Sequence, residues 1–195
     1  MRYLEIGLFV LSIFSLSCFL INWPGAALVS TLQLTTLSSF YFYLGFALFN
    51  NIGFSKIFNK TSYKGISKLK IIGAISTGIS LSILVIGILF KMKGWPGAKF
   101  TIMFGVFLSF IISVIALIKF INKKSYYYKF ILSRTIFFIT IGIFLVSIPQ
   151  MTLIKIKYKN HPKYIKLYEN ALQNPDSEEA WRKVHEEEEK IINGR

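Results

Sequence analysis

Acidic side chains are nearly missing from this chain: nine Asp or Glu stand against 23 Lys or Arg in 195 residues, and none falls between Glu5 and Glu169. The nine are Glu5, Glu169, Asp176, Glu178, Glu179 and Glu186 to Glu189. On this distribution no carboxylate is expected deep in an apolar segment, where ionisable groups mark ion and proton pathways, and a proton-coupled pump is disfavoured. A single cysteine, Cys18, excludes an internal disulfide and a Cys-based zinc site, and leaves a small apolar side chain. The two histidines, His161 and His185, lie near the carboxyl end with no partner pattern for a metal or a nucleophile. Phosphate-cradling loops, dinucleotide fingerprints and zinc-protease helices are also missing. The sequence therefore contains no catalytic, cofactor-binding or metal-binding set, and an enzyme is not expected.

What is present is apolar. Such residues make up 53% of the chain and aromatics 16%, a membrane protein's composition. They gather in five runs, about residues 4–22, 26–49, 69–90, 98–121 and 135–153. Each is long enough to cross a hydrocarbon core of roughly 30 Å. In lipid, backbone amides must be satisfied within a helix or a closed barrel, and the runs lack a barrel strand's period-2 alternation. The expected fold is an all-α, multi-pass transmembrane bundle. The first run lacks an A-x-A cleavage pattern and a good lipoprotein box at Cys18, so it is expected to remain as a span.

The organisation is repetitive. NWPGA at 22–26 recurs as GWPGA at 94–98, an offset of 72 residues that also pairs Asn50 with Asn122. Residues 1–50 and 69–122 thus read as two copies of one helical hairpin, parallel because an even number of spans separates them. That differs from the inverted repeats of many secondary transporters. Trp23, Pro24, Gly25 and Ala26, and their counterparts Trp95, Pro96, Gly97 and Ala98, suit a tight turn: Pro sets φ, Gly accepts a positive φ and Ala opens the next helix. The Trp residues suit the membrane interface and, in a second role, a docking surface.

Between the hairpins lies a basic loop, 51–68, and after them a second, 123–134, then a fifth span, 135–153, and a polar tail, 154–195. Lys and Tyr interleave in KKSYYYKF (123–130), which suits lipid headgroups better than nucleic acid. Arg2, Lys56, Lys60, Lys64, Lys68, Lys70, Lys119, Lys123, Lys124, Lys129 and Arg134 all fall on one side, against Lys91, Lys93 and Lys99 at the turns. The amino terminus is therefore expected in the cytoplasm, although the Lys-rich start of the tail pulls the other way. Gln33, Gln150 and the hydroxyl residues are read as helix-to-helix hydrogen bonders. In the tail, one helix is expected after Pro162. Another is expected from NPDSEEAW, capped by Asp176 with Glu179 at its third position, carrying a stripe of Trp181, Val184 and Ile191 that packs within the tail or on a partner.

The stretch from Gly87 to Gly105, GILFKMKGWPGAKFTIMFG, resembles the amino-terminal membrane hairpin of GldL, an inner-membrane protein of gliding motility and type IX secretion in Bacteroidetes. The FK-x(3)-WPGA pattern carries the likeness, and INWPGAAL at 21–28 keeps its core. The resemblance covers residues 4–49 and 69–121, not the fifth span or the tail. It implies a bacterial inner-membrane location. GldL is thought to act as a motor driven by the proton gradient through an acidic residue in the hairpin's second helix; the corresponding centres here, near Leu37 and Ser109, lack one. The His that commonly precedes the turn is Asn22 in one copy and Gly94 in the other. The resemblance therefore implies an accessory or scaffold component of an envelope assembly, in contact with the bilayer, other envelope membrane proteins or further copies of itself. A small oligomeric transporter or channel is the alternative.

Overall fold

The computed structural model describes residues 1–193. Eight α-helices follow one another: α1 Arg2–Leu20, α2 Ala26–Phe49, α3 Lys68–Lys93, α4 Ala98–Lys123, α5 Tyr126–Ser147, α6 Gln150–Lys157, α7 Pro162–Gln173 and α8 Glu178–Asn193. Two single 3₁₀ turns, Phe54–Lys56 and Lys60–Tyr63, shape the α2–α3 loop. The described residues contain no strand. The first five helices are each long and apolar enough to cross a membrane. The chain is an all-helical, multi-pass membrane protein.

The two hairpins, α1–α2 and α3–α4, are joined along α2 and α3. Lipid tails are as apolar as Leu, so helix association in a bilayer rests on close packing and polar contacts rather than on the hydrophobic effect. Small residues one turn apart supply both here. Ala74, Gly78 and Ser82 form a stripe on α3, and α2 answers with Ser38 and Gly45. Ser38 and Ser82 share a hydroxyl–hydroxyl bond of 2.7 Å, and the backbones meet so closely at Gly45 and Gly78 that neither has room for a Cβ. On the α4 side Gly87 lies against Ile102, and Gly105 against Leu84. Ser113 on α4 donates to Thr135 on α5 at 2.7 Å. Gln33 on α2 donates to the Leu8 carbonyl on α1 at 3.0 Å.

The fifth span differs from its expected range. It begins at Tyr126 rather than near residue 135, so most of the segment read as a basic loop, 123–134, is helix. Lys124 ends α4 in the left-handed region at φ 44°, and extended Ser125 opens α5, leaving a two-residue reversal. Lys and Tyr are polar, and hydropathy alone sets them outside the span; they instead form its first turns at the interface, where such side chains keep their heads in the headgroup layer. The span ends at Ser147 because Pro149 holds Ile148 extended, at ψ 120°. Residues 150–153 belong to a separate helix, α6.

The tail has its own small core of Ile154, Tyr158, Tyr164, Tyr168, Ala171, Ala180 and Val184. Its last helix is capped by Ser177, whose Oγ accepts from the Ala180 N–H at 3.2 Å. The expected cap, Asp176, lies one residue too early. Glu178 and Glu179 remain in the first turn, where carboxylates offset the exposed N–H groups.

Candidate functional site: a turn face with a docked tail, and a buried ion pair

The turn signatures repeat in geometry as well as in sequence. Gly25 (φ 75°, ψ −10°) and Gly97 (φ 79°, ψ −2°) have the same left-handed conformation ahead of Ala26 and Ala98. The Ala26 N–H reaches the Trp23 carbonyl at 3.0 Å, closing a type II turn with Pro24 and Gly25 at its centre. One position before each turn's Trp, Asn22 (φ 57°) and Gly94 (φ 72°) are left-handed too. There the Trp23 N–H donates to the Cys18 carbonyl at 3.0 Å and the Trp95 N–H to the Phe90 carbonyl at 2.9 Å. Both first helices end in a Schellman closure, whose left-handed residue is nearly always Gly or Asn. This explains why the position holds Asn in one copy and Gly in the other. Trp23 is 63% and Trp95 44% exposed.

The tail docks on these closures. Asn22 Nδ2 donates to the Lys157 carbonyl. At Gly94 a Cβ would lie 3.0 Å from Gln150 Nε2 and 3.2 Å from the Tyr168 hydroxyl, so Asn22 holds the tail with its side chain and Gly94 admits it by having none. Lys91 Nζ donates to the Ile148 carbonyl at 2.6 Å, and Lys93 Nζ to Ala27 at 2.6 Å, tying the second hairpin to the first. Lys93 and Lys157 both stand over the Phe19 ring, at 4.0 and 4.1 Å. The tail and both turns therefore share one end of the bundle, opposite the amino terminus and the 50–67 loop.

Of the predicted stripe, Val184 is buried and Trp181 and Ile191 pack beside it in the tail core. Trp181 Nε1 donates to the Pro175 carbonyl at 3.0 Å, and its ring meets Tyr168 edge-on with centroids 5.7 Å apart. Tyr158 donates to Glu188 at 2.5 Å. Burial, then the bond to Glu188, pushes the Tyr158 phenol well up; burial, then the Glu188 charge, does the same at Tyr168. Lys163, through its 2.7 Å bond, lowers Glu187. Asp176, Glu178, Glu179, Glu186 and Glu189 stay exposed on the outer surface.

No protein-family model, curated protein or solved structure matches this chain.

A second site was not foreseen. Glu5, expected to stay outside the membrane's depth, is enclosed among α1, α2 and α5. Arg134 Nε and Nη2 donate to its two carboxylate oxygens at 3.2 and 3.1 Å, and the Tyr41 hydroxyl donates to Oε1 at 2.9 Å. The Glu5 side chain is 5% exposed and that of Arg134 28%. Arg134, read from the sequence as a loop cation, stands eight residues into α5, about 12 Å along its rise. Beside the cluster is a cavity of about 250 Å³, lined by Ile6, Phe9, Ser133 and Phe137 among others. A fork-shaped guanidinium matches a carboxylate bidentately, and the phenol adds a third donor, so three donors from two residues hold one charge. The signal was in the sequence: the only carboxylate before Glu169 needs a cation, and Arg134 stands directly before the fifth apolar run.

Proposed function

We propose that this protein is a non-catalytic scaffold or accessory subunit of an envelope assembly in the bacterial inner membrane, with its amino terminus in the cytoplasm. The docked tail carries this reading. Two duplicated turns and a folded appendage form one composite face, with two exposed Trp edges beside an acidic helix, on the side away from the basic loops. Exposed aromatics amid polar groups are the usual make-up of a protein-binding surface. The resemblance of the WPGA hairpins to GldL points to gliding or type IX secretion machinery as the setting. The motor's carboxylate in the hairpin's second helix has no counterpart in α2 or α4.

A second reading, a small oligomeric transporter or channel, draws on the Glu5 cluster, because ionisable groups inside a bilayer mark ion paths. A pull-down in mild detergent at native expression level, using the full chain and a Trp23→Ala/Trp95→Ala variant, separates the two. The scaffold reading expects envelope membrane proteins to co-purify with the full chain and to be lost with the variant. Recovery of the chain alone, together with ion flux in liposomes that Glu5→Gln abolishes, would replace it with the transporter reading.

A further inference from the structure

A groove of about 780 Å³ opens between α3 and α4 where α5 begins, at the amino-terminal end of the bundle. Its α3 wall runs from the N-cap Ser67 to Ile79, twelve steps or about 18 Å of rise, roughly one leaflet of a bilayer. Ile72, Ile79, Leu108, Ile111 and Ile115 supply apolar walls, and Gly73 and Ala116 keep the helices from filling the space. The Tyr127 hydroxyl donates to the Lys70 carbonyl at 2.6 Å and closes the inner side.

The mouth is different in kind. Lys70, Lys119 and Lys123 line it with the hydroxyl residues Ser67, Ser125 and Tyr128. None of the three lysines forms an ion pair among the described residues. The one carboxylate of this half of the chain, Glu5, is already held by Arg134. Three ammonium groups at the headgroup level, above an apolar slot one leaflet deep, ask for an amphiphile with an anionic head and an acyl tail. A second copy of this chain answers poorly, because it has a net charge of +14 and no acidic residue from 6 to 168 to meet the lysines.

We propose that the groove holds one anionic phospholipid of the leaflet on the amino-terminal side, its phosphate at Lys70, Lys119 and Lys123 and an acyl chain along the α3–α4 slot. The inference goes beyond the scaffold reading and does not depend on it.

Native mass spectrometry of the full chain titrated with phosphatidylglycerol or phosphatidylcholine tests it. The comparison is between Lys70→Gln/Lys119→Gln/Lys123→Gln and a control that loses the same charge outside the groove, Lys56→Gln/Lys60→Gln/Lys64→Gln. The expected result is one retained phosphatidylglycerol, preferred over phosphatidylcholine. Its affinity falls roughly tenfold to a hundredfold in the groove variant, since each lysine near an anionic headgroup is worth up to about fivefold, while the control changes little. Equal losses in the two variants, no preference between the lipids, displacement by millimolar inorganic phosphate, or a lipid-free dimer in place of the bound lipid would overturn the proposal.

Discussion

Replacing Gly78 by Ala should loosen the seam between the two hairpins. A Cβ at this position would lie 2.4 Å from the Tyr41 carbonyl oxygen and 3.2 Å from the Gly45 Cα, both backbone atoms that no rotamer change can move aside. Ordinary contact begins at 3.4 Å, so α2 and α3 must part by about 1 Å. A gap of that size costs neighbouring atom pairs a quarter to a half of their dispersion energy. It also stretches the Ser38–Ser82 bond, one turn away along the stripe. Overpacking of this kind costs about 1–3 kcal/mol, and the lost interhelical bond about 0.6 kcal/mol. The better helix propensity of Ala returns up to about 1 kcal/mol. The net expectation is a loss of about 1–2 kcal/mol, read as a lower melting temperature in mild detergent. Gly7→Ala is the matched control, because nothing lies within 4 Å of a Cβ there; it gains the propensity without the clash and should melt no lower than the parent. If Gly78→Ala melts at or above the parent temperature, or Gly7→Ala falls as far, the close approach of α2 and α3 is wrong.

The Glu5 cluster predicts strong coupling. Glu5→Gln and Arg134→Gln each leave an uncompensated partner in the bundle and should each destabilise by about 1–3 kcal/mol, below the full buried-pair value because the guanidinium is partly open. The double variant should lose less than the two together, and simple additivity in detergent melting would refute the pairing. The tail should respond to pH at both ends. Burial raises the Tyr158 and Tyr168 phenols above their ordinary 10.0, so their contribution to the tail should be constant below about pH 10 and weaken above it, with these phenolates forming late in an absorbance titration. Glu187 is lowered by Lys163, so its contribution holds above the ordinary carboxylate value of about 4.3 and is lost as pH falls below it. Tail tyrosines that titrate at the ordinary phenol value of 10.0, or acid that leaves the tail unmoved, would show that these contacts do not persist in solution.

Much of this architecture is legible in the residues, and the parts that are not share a cause. Uninterrupted apolar runs and the WPGA punctuation place the first four helices to within a few residues, because length and Pro-Gly chemistry act locally. The fifth span is misplaced because its first turns consist of Lys and Tyr, which hydropathy reads as loop and an interface accepts as helix. The Glu5–Arg134 pair joins residues 129 apart, and no local pattern announces it. What does announce it is a deficit, one carboxylate in a long cationic stretch. The docking of the tail on Asn22 and Gly94 is likewise hidden, since only the fold shows that both positions are left-handed closures facing the same helices. The groove lysines read as ordinary interface cations until the helices place three of them around one slot.

The most direct test of the account is the sidedness of the chain. In a Cys18→Ser background, single cysteines introduced by Phe58→Cys in the α2–α3 loop and Asn174→Cys in the tail would be probed with a membrane-impermeant thiol reagent in intact cells and in inverted vesicles. Five spans with the tail on the turn face predict labelling from opposite sides, Asn174→Cys in intact cells and Phe58→Cys in inverted vesicles. Labelling of both positions from the same side would contradict the five-span bundle and the face on which the proposed function rests.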